Sequence, residues 1–567
     1  MERRQKLNTL LPSGCVAAGR ATRHTYRVER GKNMADLMGK NLSRRTFLGV
    51  SGGVAAVAGL GLVGCGGGSG SGNGGGSEKA AGGTLTVGTA YATQNYHPST
   101  TSSALALSAN MNVVEGLYEL DFHDYSTRAA LAAGDPTKVD DTTFEVKLRD
   151  GAKFSDGTDV KAEDVASSFK RANAEGNIYV SMLTPIASVE AKDDTTVTVK
   201  TAFPDFSLLK ERLAIIKVVP TSATDEDLTA KPTGTGPWMY DEVTDASVTL
   251  VPNPNYNGEF AAKDEKIRYD VLKDATARVT AAQEGTDLVC ESVPADSIDQ
   301  LKSAGLSIDT VQGFGTRFMM FNVKKAPWDN VKVRQAVMYA LNYDQMISNA
   351  LAGMAATPSC YLPETFTNYH KASMVYSYDQ EKAKALIAEA GITPGAITLR
   401  TTDNDQVVAM STQVKNDLDA LGFNVSIQTD TSAATYAAID GGEAYDLLLA
   451  PGDPSCFGAD PDLLLNWWYG NNSWMQKRCV WNDSAEFAQL HELMDKALSQ
   501  TGDEQQKTWN QCFDLISENV PLYPVLQVQT TTGSWRETAN GDGVKVSGDF
   551  KGIGTTGVSL IGVSTAK

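Results

Sequence analysis

Residues 66–83, GGGSGSGNGGGSEKAAGG, form a stretch that cannot bury apolar area, and no second stretch like it appears further along the chain. Everything after it must therefore fold as tightly apposed domains rather than as loosely strung modules. From Gly83 onward, short strand-like runs alternate with helical ones, the pattern of an α/β or α+β architecture. Thr84-Leu-Thr-Val-Gly, Thr143-Phe-Glu-Val-Lys-Leu, Thr195-Thr-Val-Thr-Val-Lys and Ala246-Ser-Val-Thr-Leu-Val alternate as strands. Helical periodicity is clearest over residues 329–351, 379–390, 407–421, 484–498 and 503–518, with Gly391 and Gly422 as stops. There is no 20- to 50-residue repeat.

What precedes the glycine run is an address. Ser43-Arg44-Arg45-Thr46-Phe47-Leu48 is followed by an apolar core over residues 50–63 and then by Leu62-Val63-Gly64-Cys65. A paired arginine before a short apolar core reads as an export signal, and the twin-arginine form suggests export in a folded state. A small residue before cysteine is where lipoprotein processing leaves that cysteine at the new N-terminus. The core is glycine-rich and shorter than the ~20 apolar residues a membrane span needs. Residues 1–64 are thus expected to be a signal segment, with translation starting at Met34, Cys65 as the lipidation site and residues 65–83 as a tether. The remaining 503 residues carry 39 basic and 65 acidic side chains, a net charge of −26. Such a surface repels phosphate backbones and anionic headgroups, so nucleic acid is not expected as a partner and the membrane is reached through lipid alone.

Catalytic signals are missing. Beyond the expected signal segment the sequence has no GxSxG elbow, HExxH or Walker loop, and His97, His123, His370 and His491 lack ligand spacing. No CxxC or Cys/His cluster points to a metal, and Pro454 and Pro461 argue against a calcium loop over Asp453, Asp460 and Asp462. No cofactor is expected. Of the cysteines beyond Cys65, Cys456 and Cys479 flank an aromatic segment and would close a short loop if paired outside the cytoplasm. Isolated buried thiols are the alternative.

The run from Asp141 to Arg171 reads as a strand, a turn at Asp150-Gly151, a short strand, a turn at Asp156-Gly157 and a helix from about Lys161 with acidic residues in its first turn. The same order closely resembles the hallmark of the large extracytoplasmic solute-binding protein family that serves peptide and nickel ABC importers. Further blocks are similar in the family's order: Pro232-Thr-Gly-Thr-Gly-Pro-Trp with Asn253-Pro-Asn-Tyr, Asp274-Ala-Thr-Ala-Arg with Gly285-Thr-Asp-Leu, the run from Phe321 to Asn342, Tyr378-Asp379 with Lys382-Ala-Lys-Ala-Leu-Ile-Ala-Glu-Ala-Gly, and Pro521-Leu-Tyr-Pro-Val.

The resemblance implies an α/β, two-lobed periplasmic-binding-protein-like fold of type II, with an extra subdomain in the first lobe. Residues 84–114, 230–322 and 527–567 would form the core of lobe 1, residues 115–229 the subdomain and residues 323–526 lobe 2. It implies no enzyme. The expected role is a lipid-anchored, monomeric receptor that captures di- or oligopeptides between its lobes and delivers them to an ABC permease and its ATPase. Another solute on the same fold, such as a nickel chelate or oligosaccharide, a peptide-sensing lipoprotein without transport, or a secreted hydrolase are the alternatives.

The resemblance also marks site residues. An aspartate at the end of a strand binds the peptide ammonium in peptide-binding members, and Asp453 in Leu449-Ala-Pro-Gly-Asp-Pro matches it, with Asp460 as the competing equivalent. Backbone groups of Pro451 and Gly452 would lie beside the ligand, opposed by Ser103 and Ala104 after the first strand. Arg317 would meet a peptide carboxylate or serve an interlobe salt bridge. Trp468 would wall a side-chain pocket or pack in a core.

Overall fold

The computed structural model describes residues 82–566, apart from 176 and 549. The expected signal segment, Cys65 and nearly all of the tether lie outside the described residues. Among the described residues, no helix is long and apolar enough to cross a membrane.

One eleven-stranded sheet runs through the molecule. Its order is Asn424–Asp430, Ala396–Thr402, Leu447–Gly452, Ser307–Phe321, Leu522–Ser534, Val289–Cys290, Thr84–Thr89, Lys266–Val271, Ser247–Pro252 and Trp238–Val243, with Ala355–Ala356 paired beside Leu522–Ser534. The two central strands are the longest, at 15 and 13 residues. At ~3.3 Å per residue they reach roughly 50 and 43 Å, far enough to belong to both halves of the sheet. They pair antiparallel in two blocks, Ser307–Gln312 with Gln529–Ser534 and Thr316–Met320 with Leu522–Gln527, and the register shifts between Gln312 and Thr316. Such a bulge bends the ribbon, so Gly313, Phe314 and Gly315 are where a two-lobed fold of this topology would hinge.

A separate four-stranded sheet, ordered Thr137–Lys138, Thr143–Lys147, Thr196–Thr201 and Ile186–Ala191, forms the core of an added subdomain. Its entry shows the turn chemistry anticipated from sequence. Gly151 and Gly157 adopt φ of 67° and 90°, and the helix Ala162–Ala172 starts with Asp164 Oδ2 accepting the Lys161 amide at 2.9 Å. Among the described residues, two apolar cores result. Leu85, Val87, Trp238, Leu250, Tyr269 and Trp535 belong to the first lobe's core. The other runs without interruption from the subdomain (Phe154, Tyr179, Leu213) into the second lobe (Phe318, Trp328, Trp468, Phe513).

The helices Gln380–Ala390 and Ala485–Leu498 begin where Asp379 and Ser484 cap them, and Gly391 ends the first at φ 68°. The long helix anticipated over residues 329–351 is instead broken into Val331–Ala340, Tyr343–Gln345 and a π-turn over Met346–Ala350. The break is supported from elsewhere in the fold. The Gln380 side chain donates to the Ala340 carbonyl at 3.0 Å, and Asp417 accepts the Asn342 amide at 2.8 Å. The Cys456–Cys479 disulfide is also corrected. Both thiols are free, that of Cys456 reaching the Asp453 carbonyl and that of Cys479 the Pro521 carbonyl, each at 3.5 Å. They sit at opposite ends of the helical segment that follows the strand Leu447–Gly452, and the packed helix Pro461–Tyr469 intervenes.

Candidate ligand-binding cleft

The strand Leu447–Gly452 is apolar because it lies between two neighbours. Leu447–Leu449 pair in parallel with Leu399–Thr401, and the whole strand pairs antiparallel with Thr316–Phe321. Its last residues run past the parallel partner, so Pro451 and Gly452 are paired on one side, opposite Arg317 and Thr316. A proline is tolerated there because its missing N–H costs no ladder bond on the open side.

At that strand end the chain turns at Asp453, which caps the short helical turn Pro454–Phe457. Asp453 Oδ1 accepts the Ser455 amide at 3.1 Å and its hydroxyl at 2.6 Å. Oδ2 accepts the Thr556 amide at 2.9 Å and its hydroxyl at 3.2 Å. Burial raises the Asp453 pKa above the usual carboxylate value, and the bonds from Ser455 and Thr556 oppose that rise. A carboxylate offers about four lone-pair positions, and here all four hold a donor.

Arg317 faces the same region from the hinge strand. Its Nη1 donates to the Thr316 carbonyl at 3.1 Å and its Nη2 to the Gln406 side chain, while Nε is buried without a partner. Among the described residues, no carboxylate comes within 4.0 Å of this guanidinium. Burial lowers its pKa to about 10, with Tyr91 and Asp453 opposing, so it stays charged at neutral pH. A partly desolvated cation without a counter-ion is costly, and an incoming anion offsets that cost.

Glu291, which no sequence motif singled out, and Tyr91, a weak candidate from sequence, complete the polar end. Glu291, 3% exposed, accepts the Thr89 hydroxyl at 2.7 Å and the Gly557 amide at 2.8 Å. Burial raises the pKa of Tyr91, and Glu291 and Arg317 both act on it. The signal for Glu291 was its place just after the Gly285-Thr-Asp-Leu block.

A small, mostly apolar chamber of about 40 Å³ adjoins this cluster through Cys456. Leu107 and Met111 line it from the helix Ala104–Val113, Leu120, Phe122 and Ile215 from the subdomain, and Phe457 from the second lobe. Lys217 and Glu119 at its edge neutralise each other at 2.6 Å. The chamber thus lies between the helix that Ala104 begins and the turn that Asp453 begins.

The expected residues divide into those brought together and those not. Asp453, Gly452, Pro451 and Arg317 share the strand end. Ala104 reaches it indirectly, since a Cβ at Gly557 would lie 3.4 Å from the Ala104 carbonyl. Ser103 precedes the helix, its carbonyl accepting the Leu107 amide at 2.9 Å. Trp468 is not a pocket wall. It is 1% exposed, with ring centroids 4.8 Å from Phe318 and 4.6 Å from Trp474, and it backs Gly452 from the core side. A Cβ at Gly452 would lie 2.3 Å from that indole. Gly452→Ala is therefore expected to destabilise by about 1–3 kcal/mol, as overpacking against a rigid ring does. An unchanged melting temperature would contradict this packing.

Asp460 is committed elsewhere. Arg212, fully buried, holds it at 2.8 and 2.6 Å and reaches Asp462 at 2.8 Å. Burial works against the charge on Asp460, yet Arg212 holds its pKa below the usual range. Burial pushes Asp462 up to about 6. This triad ties the subdomain to the second lobe and leaves Asp453 as the carboxylate at the strand end.

Comparison with known proteins gives one consistent neighbourhood. The profile of bacterial extracellular solute-binding proteins, family 5, middle region, matches residues 127–476. A probable D,D-dipeptide-binding periplasmic protein of Escherichia coli is 26% identical over 393 residues, covering 67% of this chain and 74% of the relative. Among solved structures, a periplasmic binding protein of Helicobacter pylori in complex with the peptide STSA superposes with a TM-score of 0.73 at 20% identity, covering 86% of this chain and 98% of that one. An oligopeptide-binding protein of Bacillus subtilis holding a nonapeptide superposes with a TM-score of 0.71 at 21% identity, covering 86% and 99%.

Proposed function

Because this chain belongs to family 5 of the bacterial extracellular solute-binding proteins, receptors rather than enzymes, with the two-lobed type II fold, we propose that its solutes are di- or oligopeptides. The peptide would be held between the lobes and delivered to an ABC permease, the receptor being anchored outside the cell through lipid on Cys65. The observation that carries the reading is Arg317: a partly buried guanidinium on the hinge strand, with an unpartnered Nε and no carboxylate beside it. A peptide's terminal carboxylate answers that charge. Asp453, on the neighbouring strand end, is assigned the peptide's ammonium, which would take the place of the Ser455 and Thr556 hydroxyls while the two backbone amides stay bound, and the small apolar chamber suits a small uncharged side chain. The relatives support the class of ligand, since one is described as D,D-dipeptide-binding and two solved neighbours hold peptides.

Closure follows from differential affinity. A ligand that touches both lobes stabilises only the closed state, and the permease then reads that state. Calorimetry of residues 66–567 against a peptide library tests the class. Binding of sugars or metal chelates with no response to any peptide would sink it. Asp453→Ala is expected to weaken free-amine peptides by about 10- to 100-fold, the value of a charge-assisted bond, and N-acetylated peptides far less. Equal losses would remove Asp453 as the ammonium anchor. Cys65→Ser is expected to shift the protein from the membrane fraction to the soluble one.

A further inference from the structure

After the second hinge strand, the chain doubles back over the hinge. The Gly552 amide donates to Asp309 at 2.9 Å, and Asp309 is also held by Arg536 at 2.9 Å. Gly554 lies directly on the register break: a Cβ at Gly313 would be 1.6 Å from the Gly554 carbonyl oxygen, which accepts the Thr530 hydroxyl at 3.1 Å. Two residues on, consecutive amides part company. Thr556 donates to Asp453 of the second lobe at 2.9 Å, whereas Gly557 donates to Glu291 of the first at 2.8 Å. The segment is then anchored in the first lobe, where Ser108 donates to the Val558 carbonyl at 2.6 Å.

We infer that Gly552–Val558 is a strap across the hinge that favours the closed arrangement without a ligand, with Thr556 as the positioning residue that ties Asp453 to the first lobe. Asp453 moves with the second lobe because its other oxygen is held by Ser455 in the turn it caps. Glu291 moves with the first because Thr89 holds it. Opening the lobes must therefore separate one of two adjacent amides from its carboxylate, and hydrogen bonds to charged groups are the stronger kind. The strap also sets apparent affinity. Where only a fraction of the protein is closed, every ligand's affinity falls by that fraction, whatever the ligand's chemistry.

The experiment uses the folded body, residues 66–567, with no solute present, so its outcome is independent of whether peptides are the ligand. Small-angle scattering and amide exchange are compared for the wild type, Thr556→Pro, which lacks the N–H, and Thr556→Val, which lacks only the hydroxyl. The wild type is expected to scatter as the closed form, with slow exchange at the Thr556 and Gly557 amides. Thr556→Pro is expected to lower the closed-to-open ratio about tenfold, the effect of losing one bond to a charged acceptor, with a larger radius of gyration. Thr556→Val should fall between. Identical scattering from wild type and Thr556→Val, with fast exchange at both wild-type amides, overturns the strap even if Thr556→Pro fails to fold. A later failure of peptides to bind would count against the ligand class and leave this result standing.

Discussion

Arg212→Met is expected to lower the stability of the folded protein by about 3–5 kcal/mol, the cost of leaving two buried carboxylates without their cation. Arg212 and Asp462 are fully buried, and the Asp460 side chain is 11% exposed. With the guanidinium gone, a fully buried acid and a mostly buried one repel each other at the N-terminus of the helix Pro461–Tyr469. Urea denaturation followed by tryptophan fluorescence reads the loss directly. Replacing Arg212, Asp460 and Asp462 together by apolar residues should cost much less than the single change, because no orphaned charge remains. A single-variant loss below ~1 kcal/mol, the range of exposed pairs, would mean that water reaches the triad.

The triad also carries a pH signature. The Asp462 pKa in the folded state is raised to about 6, with Asp460 and Asp495 adding to the effect of burial. The folded protein therefore binds this proton more readily than the unfolded chain, whose aspartates titrate near 3.9. Its contribution to stability grows as pH falls from above 6 toward 4. Asp460, held below its usual range, contributes in the opposite sense, and its share is lost only in stronger acid. Asp462→Asn should flatten the rise in melting temperature between pH 7.5 and 5, an interval that covers the folded-state titration.

Arg317→Met is expected to move binding and stability in opposite directions. Affinity for peptides with a free carboxylate should fall by about 2–5 kcal/mol, as happens when one member of a desolvated charge pair is removed. Stability without ligand should hold or rise, because the substitution deletes a charge that has no ion-pair partner and a buried Nε with no acceptor. C-terminally amidated peptides should lose far less than free acids. Calorimetry and thermal melts on the same variant check both signs. A variant that melts earlier and binds normally would make Arg317 a structural residue.

Local features were legible along the chain. Alternating runs became the strands Thr84–Thr89, Thr143–Lys147, Thr196–Thr201 and Ser247–Pro252. Asp379 and Ser484 became caps, and Gly151, Gly157, Gly391 and Gly422 took the left-handed conformations expected of turn and helix-stop glycines. These outcomes depend on side-chain shape and backbone sterics within a few residues. The candidate site was half legible. Asp453, Pro451 and Gly452 sit in one short motif, but Asp460 just beyond it competed as the ammonium-binding carboxylate, and Trp468 read either as a pocket wall or as core.

By itself, the chain determined the α/β class, the two-lobed family architecture and a strongly acidic composition, because each is written in local pattern, order or composition. Only the tertiary structure decided that Asp460 belongs to Arg212, 248 residues away, and that Trp468 backs the strand end. It alone broke the helix after Ala340, left Cys456 and Cys479 apart, and brought Thr556 to Asp453 across 103 residues of chain. Those choices depend on which buried charge finds its partner and which volume a ring can fill. Both are settled by packing between segments whose sequences carry no mark of one another.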